Sequence, residues 1–243
     1  MRAMILAAGR GERMRPLTDS LPKPLLRAGG RPLIVWHIMR LSQAGFHDIV
    51  INHAWLGGKL QQALGDGRQF GVRLHYSAEP QALETAGGIA QALPLLGQDP
   101  FLVINGDVWC DWQPHLAQRQ ARQLHAKGVL AWLLLTDNPA HNPNGDFLLD
   151  TKGRVRDPKQ PDNVTVRINS RLTFTGVGVY HPALFAELPI GRPAALAPLL
   201  RQAMHQGRVA GAHYPGEWMD IGTPARLAEL DARLQNRPAA LRF

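Results

Sequence analysis

Apolar and polar positions alternate along the first part of the chain in a way that predicts strands and helices in turn. Residues 3–7 form a short apolar run, residues 33–44 carry apolar side chains at helical spacing, and residues 48–53 are rich in β-branched side chains. The same signals predict helices at 56–64, 85–95 and 114–126, and strands at 72–77, 101–105 and 129–136. Strands that alternate with helices form a parallel sheet covered on both faces.

The pattern changes after residue 136. Short strands are predicted at 146–150, 154–156 and 171–180, and helices at 195–206 and 224–234 close the chain. We therefore predict an α/β fold with a Rossmann-like, doubly wound mixed sheet and a small inserted β region, in one domain over residues 1–243. In such open sheets ligands bind beyond the carboxyl ends of the strands, where Gly9, Asn105 and Gly145 fall.

The composition favours small anionic ligands. Lysine and arginine number 27 against 19 acidic residues, which gives a net charge of +8, yet the basic residues form no run that suggests nucleic-acid binding. No apolar segment approaches the roughly 18 residues of a membrane span. The single cysteine, Cys110, excludes an internal disulfide. We expect a cytoplasmic protein that binds neither membrane nor nucleic acid.

A loop of small residues follows the first strand and is suited to phosphate binding. Its backbone N–H groups can approach a triphosphate at Leu6, Ala7, Ala8, Gly9 and Gly11. Arg13 could clamp a phosphate with two hydrogen bonds, and the prolines beside Lys23 keep its backbone extended. A solvated arginine and a structural Pro-Lys-Pro turn are the alternatives. The loop matches neither the dinucleotide fingerprint nor a Walker loop.

Two aspartates follow strand-like segments that lie far apart in the sequence. Asp107 comes directly after the strand that ends at Asn105, and Asp220 lies in the segment 218–222. If the fold brings them together, their oxygens and those of a triphosphate would suit an octahedral Mg²⁺ site. Each aspartate could instead serve as a turn or helix-cap residue.

The segments 9–18 and 22–24 together resemble the signature of the sugar-1-phosphate nucleotidyltransferases, whose fold is glycosyltransferase-A-like. The resemblance implies that a nucleoside triphosphate and a sugar 1-phosphate are the substrates. It also implies that Arg13, Lys23 and Asp107 act in catalysis, that Arg13 and Lys23 contact the nucleotide, and that Asp107 and Asp220 bind Mg²⁺. Glu12 departs from the pattern, because many members carry serine or threonine there.

A third segment, 79–88, resembles the family stretch that meets the base. The nucleotide contacts that it implies are Glu79, Glu84, Thr85 and Gly88. A carboxylate at Glu79 can accept a hydrogen bond from the ring N–H of uracil, thymine or guanine, whereas adenine offers none on that edge, so ATP is disfavoured. An exposed loop acid is the alternative. A looser match implies sugar contacts at Asn105, Gly145, Asp146, Thr175 and Gly176, although Asp146 could equally be a turn residue.

Within the family, the segments 51–57, 105–109 and 196–203 resemble the members that act on N-acetylmuramate α-1-phosphate in Gram-negative cell-wall recycling. This implies transfer of UMP from UTP to that sugar phosphate, with UDP-N-acetylmuramate and pyrophosphate as products. A nucleotide-binding half is expected at about 1–110 and a sugar-binding half at about 111–243. The lactyl carboxylate of the sugar calls for a cation, for which Arg201 is the candidate, with a surface role as the alternative.

Other functions stay open at this point. A mannose-1-phosphate guanylyltransferase is the nearest alternative, since Glu79 could also pair with guanine. A non-catalytic subunit that senses nucleotide sugars is a second alternative. The presence of Arg13, Lys23, Asp107 and Asp220 argues against it. A nicotinamide dehydrogenase is disfavoured, because Asn52 and His53 stand where an acid would bind the ribose. A monomer or small homo-oligomer is expected.

Overall fold

The computed structural model describes residues 1–159 and 168–236, which form a mixed sheet with helices on both faces. The strands are β1 Ala3–Leu6, β2 Arg27–Ala28, β3 Arg31–Pro32, β4 Asp48–His53, β5 Arg73–Ala78, β6 Phe101–Asn105, β7 Val108–Cys110, β8 Ala131–Thr136, β9 Phe147–Asp150, β10 Val155–Arg156, β11 Ile168–Tyr180, β12 Val209–His213 and β13 Trp218–Asp220. The helices are α1 Leu17–Ser20, α2 Leu33–Gln43, α3 Gly57–Leu64, α4 Glu84–Leu96, α5 Leu116–Lys127, α6 Leu196–His205 and α7 Pro224–Gln235.

In the main sheet the order of the parallel strands reverses between β1 and β6, so the connections on the two sides of this point run in opposite directions. Strand β1 pairs in parallel with β4 on one side and with β6 on the other, and β5 extends the parallel part beyond β4. Strand β11 then runs antiparallel to β6 and links it to β8 and β9. A crevice opens at such a switch point, at the carboxyl ends of the parallel strands.

The alternation of side chains along the central strands produces two cores. Ala3 and Ile5 face one side of the sheet, where α2, α3 and α5 pack, and Met4 faces the other side, where α4 and α6 pack. A third core lies under α7 and contains Met14, Trp109 and Ile221. This third core holds the loop after β1 close to the ends of β7 and β13.

Strand β11 is long enough to form a wall beyond the crevice. Its last four residues pair with β6, and its first residues pair with β9. Its pairing with β8 shifts register between Phe174 and Gly178. The part of β11 before Val177 therefore extends past the carboxyl end of β6. This extension places the start of β9 beside the crevice.

The predicted α/β class and mixed sheet are confirmed. The six helices predicted from apolar spacing begin and end within two residues of the observed bounds. The short elements α1, β2, β3 and β7 were not predicted, because two to four residues carry too little periodic signal. No helix among the described residues has the length and apolar character needed to span a bilayer.

Candidate functional site

A cleft of about 250 Å³ lies at the carboxyl ends of β1, β4 and β6, and a larger cavity of about 560 Å³ adjoins it. The smaller cleft is lined by Leu6, Ala7, Ala8, Gly9, Lys23, Pro24, Asn52, Ala82, Glu84, Thr85, Asn105, Gly106 and Asp107. The larger cavity is lined by Asp146, Phe147, Phe174, Ala195, Leu196, Ala197, Leu200 and Arg201, and it shares Glu84, Thr85 and Asn105 with the smaller one. The two spaces therefore form one divided site.

Lys23 and Asp107 form an ion pair at the mouth of the smaller cleft. Lys23 lies in a short 3₁₀ turn, Lys23–Leu25, and is only 8% exposed. Its Nζ donates a hydrogen bond to Asp107 Oδ2 at 2.6 Å, whereas the Asp107 side chain remains 42% exposed. The ammonium is therefore held in place by burial and by a partner that still faces solvent.

The fold brings Asp107 and Asp220 together although more than a hundred residues separate them. Strands β7 and β13 pair antiparallel, with Asp220 opposite Val108, and the N–H of Ile221 donates to the carbonyl oxygen of Asp107 at 2.8 Å. Arg226 Nη1 donates to Asp220 Oδ2 at 2.7 Å. The Oδ1 atoms of Asp107 and Asp220 accept no hydrogen bond from a described residue. Each aspartate thus keeps one oxygen available to a ligand.

Two carboxylates of this kind fit a hard divalent cation better than a soft metal. Among residues 1–159 and 168–236, no three side chains of the histidine, cysteine and acidic types converge to form a complete metal site. A hard cation such as Mg²⁺ takes oxygen ligands and usually keeps several waters or substrate phosphates in its coordination shell. Asp107 and Asp220 are therefore a suitable partial ligand set, which a bound phosphate would complete.

Arg13 reaches the same place from the loop after β1. The neighbouring Met14 is fully buried in the third core and anchors this turn of the loop. A methyl group on the Cα of Gly222 would lie 3.0 Å from Arg13 Nη2 and 3.1 Å from Asp220 Oδ1. Arg13 is exposed and pairs with no carboxylate in the described part of the chain. Its guanidinium is therefore available to an anion beside Asp220.

The rest of this loop is fixed by contacts that the sequence did not reveal. The Arg10 guanidinium stacks over the Trp55 ring at 4.0 Å and also donates to the Thr18 carbonyl oxygen at 2.8 Å. Trp55 Nε1 donates to that same oxygen at 3.0 Å. Thr18 Oγ1 in turn donates to the Gly11 carbonyl oxygen at 2.9 Å. The loop after β1 is thus held in shape by the protein's own contacts, and such preorganisation favours electrostatic catalysis.

Glu79 lies behind the wall of the cleft and positions Asn52. Asn52 Oδ1 accepts from the N–H of Ala7 at 2.8 Å, and its Nδ2 donates to Glu79 Oε1 at 2.6 Å. The other Glu79 oxygen accepts from the N–H of Leu83 at 2.9 Å. Burial raises the pKa of Glu79, and the two hydrogen bonds oppose that shift. Glu79 is only 5% exposed and does not line the smaller cleft, so direct contact of Glu79 with a base stays a prediction.

Gly88 and Thr175 both lie in tightly packed surroundings. A methyl group on Gly88 would lie 2.6 Å from Glu79 Oε1, so this side of Gly88 packs against Glu79. Thr175 is fully buried, and its Oγ1 donates to the Leu134 carbonyl oxygen at 2.9 Å. The predicted sugar contact of the Thr175 side chain is therefore corrected to a packing role, whereas the predicted nucleotide contact of Gly88 stays a prediction.

Of the remaining predicted sugar contacts, Asn105, Asp146 and Arg201 line the larger cavity, whereas Gly145 and Gly176 are not among its lining residues. Asp146 lines it and accepts from the N–H of Phe174 at 2.8 Å, while Gly145 and Gly176 have positive φ values of 59° and 80°. Gly176 packs directly on Asn105, where a methyl group would lie 2.7 Å from that side chain. Arg201 also lines the cavity, with its Nε 3.5 Å from Asp157 Oδ1. The cavity therefore contains both acidic and basic groups.

Sequence reasoning missed several residues that lie beside the predicted site residues. Arg226 and His141 both lie beside Asp220, at 2.7 Å and 3.4 Å from its Oδ2, and no local motif marks them. The only sequence signal for a role of Asn52 was its place as a polar residue near the end of a buried strand.

The single cysteine does not take part in the site. Burial raises the pKa of the Cys110 thiol to about 11, so the thiol stays protonated at neutral pH and is not a nucleophile.

Residues 2–237 match the protein family described as Nucleotidyl transferase. The chain belongs to this family. It is 55% identical to the N-acetylmuramate alpha-1-phosphate uridylyltransferase of Neisseria meningitidis serogroup B, over 96% of this chain and 97% of the relative. It is 32% identical to the mannose-1-phosphate guanyltransferase of Aspergillus fumigatus, over 92% of this chain and 61% of that relative.

A solved structure supports the fold assignment. A Bacillus anthracis protein assigned as a glucose-1-phosphate thymidylyltransferase superposes with a TM-score of 0.80, covering 98% of this chain and 96% of its own. Its sequence identity is 24%, so the likeness concerns the fold alone. The resemblance to sugar-1-phosphate nucleotidyltransferases is confirmed, and the family match together with the similarity to a uridylyltransferase supports an enzyme of that class.

Proposed function

We propose that this chain transfers UMP from UTP to N-acetylmuramate α-1-phosphate and releases pyrophosphate. The observation that carries the proposal is the 55% identity, over nearly the full length of both chains, to a Neisseria meningitidis protein with that activity in its name. A Caulobacter vibrioides relative of the same name is 34% identical over 96% of each chain. The product would be UDP-N-acetylmuramate, and the proposed role is sugar recycling for the cell wall in the cytoplasm.

The proposed reaction is a single in-line displacement at phosphorus. An oxygen of the sugar 1-phosphate forms a bond to the α-phosphorus of UTP, and the bond from that phosphorus to the bridging β-phosphate oxygen breaks. The attacking phosphate oxygen is already ionised at neutral pH, so the protein need not supply a base. Catalysis then depends on alignment of the two substrates and on stabilisation of the charge on the departing pyrophosphate.

The divided site suits two substrates that meet at their phosphates. In the proposal UTP occupies the smaller cleft, where the backbone of Leu6–Gly9 lies along one wall, and the sugar occupies the larger cavity. Because Glu84, Thr85 and Asn105 line both spaces, the reacting phosphates would meet beside these three residues. This arrangement allows in-line attack without a large movement of either substrate.

Lys23 and Arg13 would neutralise the phosphates from two sides. Lys23 is fixed by its bond to Asp107, and Arg13 lies beside Asp220, so the two cations flank the two carboxylates. A cation held in advance costs little reorganisation when charge develops. Removal of one such contact costs about 100- to 1,000-fold in rate in comparable enzymes.

Asp107 and Asp220 would hold a Mg²⁺ ion together with phosphate oxygens and water. Their two unpaired Oδ1 atoms are the donors that fit a hard cation. The ion would supply charge stabilisation to the pyrophosphate leaving group. Lys23 and Arg226 meanwhile keep the two carboxylates in position through bonds of 2.6 and 2.7 Å to their Oδ2 atoms.

The experiment that tests the proposal measures pyrophosphate release with Mg²⁺ for every pairing of four triphosphates and four sugar phosphates. The triphosphates are UTP, GTP, dTTP and ATP; the sugars are the 1-phosphates of N-acetylmuramate, N-acetylglucosamine, mannose and glucose. Preferred release with UTP and the muramyl phosphate is expected. Preferred release with GTP and mannose 1-phosphate would instead make the chain a guanylyltransferase. Nucleotide binding without any turnover would indicate a sensor.

A further inference from the structure

Glu84 holds a backbone conformation that side chains other than glycine rarely adopt. It is the first residue of α4 and has φ +57°, in the left-handed region. Leu56, with φ +53°, is the other non-glycine residue of positive φ in the described part of the chain. Such a conformation costs free energy and persists mainly where the surroundings or the function require it.

Within residues 1–159 and 168–236, the Glu84 side chain has no partner that would account for this backbone conformation. The carboxylate is exposed and makes no ion pair or hydrogen bond with a described residue. An acid in the first turn of a helix interacts favourably with the helix dipole, but any conformation of the first turn would provide that benefit. The acid therefore serves something outside the protein's own contacts.

The surroundings of Glu84 restrict what it can bind. It lines both the smaller cleft and the larger cavity. The N–H groups of Ala86 and Gly87 both donate to the Ala194 carbonyl oxygen, at 2.9 and 3.1 Å, so these helix-terminal donors are occupied. Lys23, which lines the smaller cleft, is paired with Asp107, and Arg201, which lines the larger cavity, lies 3.5 Å from Asp157. A carboxylate without a cation of its own repels phosphate, so a neutral group with a hydrogen to donate is the partner that fits.

The geometry of the substrate decides which donor this is, on the proposed assignment of the two spaces. The phosphate on C1 of the sugar must reach the smaller cleft, while the sugar ring occupies the larger cavity. The substituents on C1 and C2 therefore lie nearest to the wall that the two spaces share. In a 2-acetamido sugar, the substituent on C2 carries an amide N–H, which a carboxylate accepts well.

We propose that the Glu84 carboxylate accepts a hydrogen bond from the amide N–H on C2 of the sugar. This inference rests on the proposed function, because it takes the larger cavity as the sugar site. It changes the expected role of Glu84 from a nucleotide contact to a binding contact with the sugar.

The test compares Glu84→Gly and Glu84→Gln with Leu56→Gly, a matched control that removes the other positive-φ side chain away from both spaces. KM and kcat are measured for UTP and for N-acetylmuramate α-1-phosphate in separate titrations, and thermal unfolding is followed for each variant. Glu84→Gly should raise KM for the sugar phosphate about 10- to 100-fold, as expected for a lost hydrogen bond to a charged group, and leave KM for UTP within about threefold. Glu84→Gln keeps an acceptor oxygen, so its KM for the sugar phosphate should lie between the values of the wild type and of Glu84→Gly.

The unfolding temperature and the control separate this role from a structural one. Glycine tolerates positive φ, so Glu84→Gly should not lower the unfolding temperature, and Leu56→Gly should leave both KM values unchanged. Equal increases in both KM values, or no change in either, would overturn the inference. Wild-type turnover is measured first: its absence with this substrate pair contradicts the proposed function, whereas normal wild-type turnover with unaltered variants contradicts only the role of Glu84.

Discussion

Removal of Lys23 and removal of Asp107 should affect stability unequally, because the two partners of the ion pair are buried to different extents. Asp107→Ala leaves the ammonium of Lys23, which is 8% exposed, without its carboxylate. A buried donor left unsatisfied costs about 1–3 kcal/mol, and more when it is charged. We expect a loss of about 2 kcal/mol, which lowers the unfolding temperature of a chain of this size by about 4–8 °C.

Lys23→Met should be much milder for stability. Asp107 keeps 42% of its side chain in contact with solvent, so water can replace the lost ammonium. The methionine retains most of the apolar stem of the lysine. We expect a change of about 0–1 kcal/mol, within the range of partly exposed ion pairs. Both variants should nevertheless lose about 100- to 1,000-fold in kcat/KM, since each removes a group that stabilises charge in the proposed reaction.

Thermal unfolding and the kinetics of pyrophosphate release are measured side by side for the two variants. Asp19→Ala is the matched stability control, because the Asp19 side chain is also 42% exposed but pairs with Arg10 and Arg15, whose side chains are 25% and 58% exposed and so stay in contact with solvent. It should lower the unfolding temperature less than Asp107→Ala. The reasoning is refuted if Lys23→Met destabilises the protein as much as Asp107→Ala does.

Three further outcomes follow from the structure. Burial, aided by Arg40, lowers the pKa of His37 from 6.5 to about 4. Neutral His37 therefore stabilises the fold fully above pH 6.5, and about 3 kcal/mol of the free energy of unfolding is lost as the pH falls toward 4. Urea unfolding at a series of pH values should show this loss for the wild type, and the His37→Gln variant should not show it. Gly88→Ala should cost about 1–3 kcal/mol, whereas Gly58→Ala, which meets no atom within 4 Å, should stabilise α3 by about 0.5–1 kcal/mol in the same assay. Arg201→Ala should raise KM for N-acetylmuramate α-1-phosphate about tenfold or more without a similar change for N-acetylglucosamine 1-phosphate, and equal changes for both would exclude a lactyl contact.

The helices and the parallel strands could be predicted because their signals are local. Apolar spacing alone located α2 and α6, and the β-branched run at Asp48–His53 matches β4 residue for residue. The position of the loop after β1 could also be predicted, since small residues directly after a first strand are typical of a loop that approaches a ligand closely. These predictions needed no knowledge of distant partners.

The pairing of β7 with β13 could not be predicted in the same way. It joins three-residue strands that are more than a hundred residues apart, and neither strand has a periodic pattern of its own. The convergence of Asp107 and Asp220 depends on this pairing. Before the fold was known, the prediction that both aspartates bind one metal ion therefore depended on the resemblance to a family. The fold then placed the two residues close together.

The error at Thr175 has a physical cause, and Gly88 shows a related constraint. Thr175 lies in β11 next to Phe174, which lines the larger cavity, but its hydroxyl group faces the core. Thr175 satisfies the carbonyl oxygen of Leu134 in the core, and Gly88 leaves room for the carboxylate of Glu79. Sequence position identifies the neighbourhood of a site, whereas tertiary packing decides which side chains face the ligand.

The most direct test of the central claim follows the fate of UTP radiolabelled at its α-phosphate, incubated with N-acetylmuramate α-1-phosphate, Mg²⁺ and the purified protein. The proposed displacement predicts that all consumed label appears in UDP-N-acetylmuramate, in equal amount to the pyrophosphate released. Label recovered in UMP or UDP, or no consumption of UTP with this sugar phosphate, would contradict it.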